Sequence, residues 1–527
     1  MSPVERGENL SVLPDEDYRK AYENAIALLR SLHAGEEYNS IGFLATRFPR
    51  DNYRRLFARD AFWMIFADIL TDDNVLIEGT RNSIATLAKH QREDGAIPSN
   101  VSPEGAVSYG VINPRIDPTS LYIIGCGRFA KRHPGEGIIE RYLASLGKAV
   151  SYLEKKWENA ECGLLYIPRA GNWADEYLQQ GFVLYDEVLW HMALREYADM
   201  LEASGGREGE SYRAKAEKVK RVILDKFWAS RLEGTNENIY TRLKKKFDLD
   251  KTGYFIHFYF SSGVEESSFR HPCGIFDAFG NILAILCGVA SDEEAPKIIE
   301  FIDEISLNKY PLVPAHYPFF PEEVFRSARL YQYRFKQFVG HFHNGGLWAW
   351  YTGPYVAALV KCGYREKALK FLTGILKANY EKKDEMDFYE YHTGKRAIAY
   401  LKVVHLRGID FYPSKAVSDF VSSKKSMVLV HFGKEKVDAE SDILLRALNV
   451  KKNEKIKVTA VGPDSEEVLT GISGLVDSSG RKLFRLQDMF LMGSTPGGTP
   501  YLGVSAAAYI IAYEALFNNK ILFDKNF

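Results

Sequence analysis

The chain has 527 residues, 46% hydrophobic and 26% charged, which is enough apolar material for a large buried core. Its formal net charge is −1 with Lys and Arg dispersed, which argues against the basic face of a nucleic-acid binder and the polybasic segment of a protein held on anionic lipid. Five cysteines, Cys126, Cys162, Cys273, Cys287 and Cys362, are odd in number and never form CxxC, against a disulfide framework or a zinc site.

The first ten residues lack the basic and apolar stretches of a signal peptide. The longest apolar run, residues 282–290, falls far short of the ~20 residues that cross a bilayer. The expectation is a soluble cytoplasmic protein that uses a small molecule and neither nucleic acid nor membrane, with homo-oligomerisation left open.

Apolar residues recur at three- and four-residue spacing over twelve stretches. The first is 15–32. Then come 60–70 with 74–91, 118–131 with 139–157, 183–201 with 208–227, 277–289 with 293–305, and 346–360 with 364–380. A last stretch, 499–517, is rich in Ala and Ile and pairs with nothing after it. Several stretches start near Asp, Ser or Thr or stop at Gly, as at Gly288 and Gly363. Short turns such as Lys361-Cys362-Gly363-Tyr364 alternate with long aromatic junctions at 92–117, 168–182, 311–344 and 384–401. That alternation predicts six helical hairpins closed into an all-α (α/α)6 toroid, with the long loops building one functional face. An irregular bundle or a solenoid is the alternative, but no repeat of fixed period supports a solenoid. Residues 414–496 break the pattern: 426–432 and 455–461 read as strands, with a helical stretch near 440–448. The expected division is a toroid over 1–413, an inserted α+β subdomain over 414–496, and the last toroid helix in 497–527.

Two carboxylates stand out because aromatic rings accompany them at helix junctions. Asp175 lies in Gly171-Asn172-Trp173-Ala174-Asp175-Glu176, and Glu390 in Asp387-Phe388-Tyr389-Glu390-Tyr391. Rings stack on sugar faces, and partial burial lifts a carboxyl pKa enough to keep a proton available, a combination suited to breaking a glycosidic bond. The plain alternative is a capping Asp and a solvated Glu. Arg59 and Asp60 open the second helix and could bind sugar hydroxyls; Gln91 closes the third in a segment that alone reads as a turn, and Asp117 stands at another helix entrance. Helix capping is the competing role for both aspartates. His341, His343, Asn344, Trp348 and Trp350 gather at one helix start, where sugar contact is favoured over metal because no acid or Cys has ligand spacing nearby.

In order along the chain these pieces resemble the neutral and alkaline invertase family of glycoside hydrolases, and more loosely the glucosidase domain of glycogen-debranching enzymes. The matching elements are Arg59-Asp60; Asp175 with Gly181, the run Tyr185-Asp186-Glu187-Val188-Leu189-Trp190, Ala193 and Leu194; Phe276 with Gly280-Asn281 and Ala284-Ile285; His343-Asn344-Gly345-Gly346-Leu347-Trp348; and Tyr389-Glu390-Tyr391 with Gly394. The resemblance runs from about Arg54 to Leu516 outside the insertion. It implies Asp175 as general acid and Glu390 as general base of an inverting hydrolase with no metal or other cofactor. Substrate contacts would come from Arg59, Asp60, Gln91, Asp117, Trp173, His343, Asn344, Trp348 and Tyr391. The chain departs from the family where Ala349 follows Trp348, where Asp175-Glu176-Tyr177-Leu178 replaces Asp-Arg-Arg-Met, and where 499–505 replaces a Gln- and Tyr-rich stretch. Scaffold and acid/base pair are thus better matched than sucrose as the substrate, and short α-glucosides in general are the expected class. A sugar epimerase using His341, His343 or His392, and a silent carbohydrate-binding protein, are the rivals from other classes.

Overall fold

The computed structural model describes residues 13–34, 41–48, 53–174, 177–235, 237–267, 269–306, 311–321, 324–325, 336–380 and 386–524. Its ring helices are α1 (Asp15–Leu32), α2 (Ala58–Asp68), α3 (Asn74–Lys89), α4 (Asp117–Arg132), α5 (Ile138–Lys156), α6 (Leu184–Ala203) and α7 (Gly209–Lys226). After a short α8 (Asn238–Lys246), the ring resumes with α9 (Ala278–Leu286), α10 (Glu294–Ile305), α11 (Ala349–Lys361) and α12 (Arg365–Asn379). Three helices of the insertion follow, α13 (Phe411–Ser422), α14 (Asp442–Ala447) and α15 (Ser465–Gly474), and α16 (Gly503–Asn518) completes the ring. All twelve stretches read from periodicity are helices.

Burial sorts them into two rings. Helices α2, α4, α6, α9, α11 and α16 are buried on nearly every side, as a helix enclosed by protein must be. Their partners α3, α5, α7, α10 and α12 bury one stripe each; in α3 this is Leu76, Gly79, Thr80, Ser83, Ile84 and Leu87. Successive inner helices pack side by side, and α16 packs on both α11 and α2, which closes the circle. The close approach of α11 and α16 depends on Gly353, where a Cβ would lie 2.0 Å from the Ala508 carbonyl oxygen. Helix α16 does have a partner: it is α1, from the other end of the chain. The Tyr509 hydroxyl donates to the Tyr18 carbonyl at 3.1 Å, and the Tyr22 and Tyr513 rings meet at 4.4 Å. The fold is therefore an (α/α)6 toroid of six hairpins, one of them assembled from the chain's two ends.

Short strands precede the inner helices at one end of the toroid. Leu56–Phe57 pairs with Asn100–Val101 and that with Val107–Ser108, while Tyr166–Ile167, Gly181–Val183, Ile256–Phe260, Pro272–Asp277 and His316–Tyr317 form a five-stranded antiparallel sheet. Loop aromatics that the sequence placed in junctions are ordered by these ladders.

The α+β insertion has its own core, including Ala397, Leu401, Val458, Leu469 and Phe484. Its antiparallel sheet runs in the order 435–438, 427–432, 455–461, 396–403, 484–492. The strand Arg396–Val403 buries alternate residues Ala397, Ala399, Leu401 and Val403, so the unit begins well before 414, inside what read as an aromatic loop. Met427, Leu429 and Val461 belong instead to the toroid core, which fastens the insertion to the ring. Helix α8, which the periodicity did not reveal, braces it: Arg242 and Lys246 both pair with Glu440. Among the described residues no helix is long and apolar enough to cross a membrane.

Candidate functional site

A cavity of about 410 Å³ opens at the end of the toroid where the inner helices begin, a size typical of small-molecule sites. The start of α2 contributes Arg59 and Asp60, the start of α11 contributes Trp348 and Trp350, and the start of α16 contributes Leu502 and Val504. Loops supply Tyr53, Arg55, Arg115, Trp173, Phe342, His343 and Glu390, and Lys336 reaches in from a helical position. Beneath them Trp63 plugs the barrel, its ring 5.1 Å from Phe279 and 6.2 Å from Trp350.

Glu390 is only 7% exposed. Its Oε1 accepts from the Tyr53 hydroxyl at 2.9 Å and its Oε2 from the Thr499 N–H at 3.1 Å. The approach of the 496–499 segment requires a glycine at 498: φ is +73°, and a Cβ there would stand 2.1 Å from Glu390 Oε2. Burial raises the Glu390 carboxyl above the usual glutamate range, opposed by the Tyr53 bond, the Lys336 charge and the Thr499 N–H. The result is a fixed carboxylate with a free lone pair on each oxygen.

Trp173 forms the facing wall. Its ring lies 5.0 Å from His343, 5.9 Å from Trp348 and 5.3 Å from Trp350, mostly edge to face. Phe342 stacks on His343 at 3.9 Å. Burial holds the His343 imidazole well below its ordinary value, so it is neutral at pH 7. Asp175 and Glu176 lie outside the described residues. The residues flanking them are anchored: the Ala174 N–H donates to Asn172 Oδ1 at 3.1 Å, and the Tyr177 ring stacks on His316 at 4.2 Å.

A second layer of acids lies under this surface. Arg59 Nη1 donates to Asp117 Oδ2 at 3.3 Å and the guanidinium covers the Trp350 ring at 5.8 Å. Asn172 Nδ2 donates to Asp186 Oδ2 at 2.7 Å, and burial, together with Asp117, pushes the Asp186 carboxyl well above the carboxylate range. Burial raises Asp277 to about 7 while it caps α9 through the Phe279 N–H. Asp60 is also raised by burial, with Arg59 and Arg115 opposing. Neither Asp60 nor Asp117 caps its helix: the cap positions are Phe57 and Ile116, and neither helix has a side-chain cap.

Of the residues read from sequence, Arg59, Asp60, Trp173, His343, Trp348 and Glu390 line one cavity. Asp117 sits behind Arg59, and Tyr391 sits behind Trp348, stacked at 5.6 Å. Two others stand apart. Gln91 Nε2 donates to the Gly95 and Ser145 carbonyls and its Oε1 accepts from Ser145 Oγ, so it ties the end of α3 to α5. Asn344 is fully buried, bonded to both the N–H and the carbonyl of Phe320, and staples a loop. Of the three candidate imidazoles of an epimerase only His343 is in the wall; His392 Nε2 bonds the Ala378 carbonyl at 3.0 Å. Tyr53, Arg55 and Lys336 escaped the sequence reading. The first two lie in the segment that pointed to Arg59-Asp60, while Lys336 had no local signal. A wider groove of about 850 Å³ between 225–239 and 259–272 carries Asp225 at the surface and Glu237 as the cap of α8, and among the described residues no buried acid pair.

Residues 399–478 match a family model described as PTS HPr component phosphorylation site, a span that falls within the α+β insertion. No curated protein sequence matches the chain. Among solved structures, a single-site variant of a glycosidase superposes with a TM-score of 0.51 at 11% identity, over 96% of this chain and 99% of that one. Another variant, of a glycosidase in complex with glucose, gives 0.50 at 11% identity with the same coverage. A bacterial glucoamylase complexed with acarbose gives 0.52 at 13% identity over 98% of this chain, which spans only 58% of the glucoamylase. Over nearly its whole length the chain thus shares the helical toroid fold of these glycosidases.

Proposed function

We propose that this chain is an inverting glycoside hydrolase acting in the cytoplasm on a short α-glucoside. The observation that carries the reading is Glu390, a buried carboxylate fixed by two donors at an aromatic-walled pocket that also presents Arg59 and Asp60. In the proposed mechanism Asp175 protonates the leaving oxygen, and Glu390 takes a proton from the water that attacks the anomeric carbon from the opposite face. The Tyr53 and Thr499 donors lower the cost of keeping Glu390 ionised in a buried site. Trp173 and its neighbouring indoles offer faces for the sugar ring, and Asp60 offers a carboxylate for its hydroxyls. The likeness of His343–Trp348 to the neutral invertases makes sucrose the first substrate to try, followed by isomaltose and limit dextrin as debranching-type substrates and by trehalose.

Glucose released from that panel tests the activity, and proton NMR in the first minutes tests the mechanism. The expected first product of an α-glucoside is β-glucose; α-glucose would refute inversion. Asp175→Asn is expected to remove activity by about 10²–10⁴, the usual contribution of general acid assistance. The neutral His343 in the wall keeps one rival alive, an epimerase, and a product of unchanged mass would favour it.

A further inference from the structure

Glu390 and the Thr499 N–H that binds it sit on the two strands that carry the insertion. Glu390 lies shortly before Arg396–Val403 and Thr499 shortly after Phe484–Met492, and these strands are neighbours in the insertion's sheet. Their antiparallel pairing does not stop at the sheet. It runs in one register from Tyr400 opposite Asp488, through Arg396 opposite Met492, to His392 opposite Pro496 and Tyr391 opposite Gly497. The Glu390 N–H then donates to the Thr499 carbonyl at 3.0 Å. The carboxylate and its donor thus occupy one end of a ribbon whose other end is built into the α+β core.

The register slips beside the site. Tyr391 faces Gly497 but Glu390 faces Thr499, so Gly498 is left over as a bulge with a φ of +73°. A bulge re-aims the groups next to it and interrupts the ladder, so the register there depends on the pairing to either side. The second strand ends the sheet with Arg396–Val403 as its neighbour, whereas Arg396–Val403 is also held by Lys455–Val461. Between sheet and bulge the two strands are locked at Thr393 and Thr495. The Thr393 N–H donates to the Thr495 carbonyl at 2.8 Å, the Thr495 N–H donates to Thr393 Oγ1 at 3.0 Å, and the two hydroxyls lie 3.0 Å apart. Thr393 is buried and Thr495 exposed. Two N–H groups of the second strand, those of Thr495 and Thr499, therefore end on side chains of the first, Thr393 and Glu390.

Resting on the glycosidase reading above, in which Glu390 is the base, we infer that Thr393 and Thr495 are positioning residues for the reaction: they fix the register of the ribbon so that the Thr499 N–H meets Glu390 Oε2. The insertion serves catalysis by gripping the two strands that carry both groups. Neither threonine lines the cavity, so their effect reaches the substrate through Glu390 and falls on turnover more than on binding.

The test uses the intact chain and the best glucoside. Thr393→Val removes the hydroxyl that serves both side-chain contacts, Thr495→Val removes one contact, and Thr393→Ser keeps the hydroxyl. In Thr393→Val kcat is expected to fall about tenfold with KM within about twofold, a share of the ~100-fold that a 1 Å misplacement can cost. Thr495→Val should lose less, and Thr393→Ser should stay near wild type. In a Glu390→Gln background Thr393→Val should cost nothing further, because a residue that acts through another is not additive with it. Equal loss in both backgrounds, or a raised KM with kcat intact, overturns the positioning role and leaves Glu390 as the base. Wild-type turnover by Glu390→Gln overturns the base and the role together, as does a wild-type chain that turns over no glycoside. Hydrogen exchange read by mass spectrometry needs no substrate: Thr393→Val should speed exchange over residues 495–502, and unchanged exchange there overturns the lock. Thr495→Val, altered at an exposed side chain, supplies the same measurements should Thr393→Val fail to fold.

Discussion

Replacing Glu390 by Gln separates chemistry from folding, because the pocket already provides for an amide. The carboxylate receives one hydrogen bond on each oxygen, from Tyr53 Oη and from the Thr499 N–H. A glutamine can keep its carbonyl oxygen against Thr499 and turn its NH2 toward Tyr53, whose hydroxyl then accepts instead of donating. A hydrogen bond to each of Tyr53 and Thr499 can thus be kept, and an acid whose charged form burial disfavours is removed. The unfolding midpoint is therefore expected within about 2 °C of wild type, since a large domain shifts only a few degrees per kcal/mol. Catalysis has no such substitute. An amide cannot take the proton of the attacking water, and loss of a general base costs about 10²–10⁴ in rate, or about 3–5 kcal/mol of transition-state stabilisation. Initial rates of glucose release from the best glucoside, read beside thermal unfolding by circular dichroism, measure both quantities. A loss below tenfold would sink Glu390 as the base. A large loss accompanied by a collapsed midpoint would sink the account of its hydrogen bonding.

The acid limb of kcat/KM should move to higher pH in Tyr53→Phe: the Tyr53 bond holds the Glu390 carboxyl down, its loss raises that pKa, and a base that must be ionised then fails at a higher pH. A limb that stays in place would show that Glu390 does not set it. In Gly498→Ala the new Cβ falls 2.1 Å from Glu390 Oε2 at a φ of +73°, and a displaced base should lower kcat by about a hundredfold; steady-state kinetics near wild type would refute that. Asp68, buried at the end of α2 with a hydrogen bond from Thr80 at 2.6 Å, is pushed up to about 8 by burial. The folded state then holds a proton that the unfolded state releases, so its cost to stability grows as pH rises from the ordinary carboxylate range to about 8 and levels off above. Denaturant melts of Asp68→Asn should show an advantage over wild type that widens across that interval; a constant difference would contradict it.

Much of the ring was legible because a toroid repeats one physical requirement. Each inner helix is buried on nearly all sides and each outer helix on one stripe, so a run of apolar residues of helical length marks every stretch from 15–32 to 499–517. The closed ring was legible, but the pairing that completes it was not, because nothing local tells α16 that its partner is α1, the most distant helix in sequence. The start of the insertion was missed for a related reason. Arg396–Val403 alternates correctly, but it sits among the aromatics of a junction, and its sheet partners 455–461 and 484–492 come long after it. Helix α8 went unseen because it is basic and short, with only Tyr240 and Leu243 buried, and the carboxylate that pairs with it, Glu440, is supplied by the insertion.

The site was half legible, and the reason lies in what a helix start does to a side chain. Six inner helices aim their first turns at one end, so Asp, Trp and Arg at those turns are ambiguous between capping and binding until the cap position is known. Asp73 and Asp277 do cap, each accepting from the first N–H groups of its helix. Asp60 and Asp117 lie inside their helices, past the cap positions Phe57 and Ile116. A shift of a few residues in a helix boundary thus decides whether a carboxylate is structural or faces the pocket, and apolar periodicity cannot resolve a boundary that finely. Two residues that spacing could not find, Tyr53 and Arg55, reach the pocket from the segment before α2, and Lys336 reaches it from outside the inner helices. They are also groups that tune the Glu390 carboxyl and charge the pocket, so the scaffold was readable in the helices while part of the pocket's chemistry is carried by the segments between them.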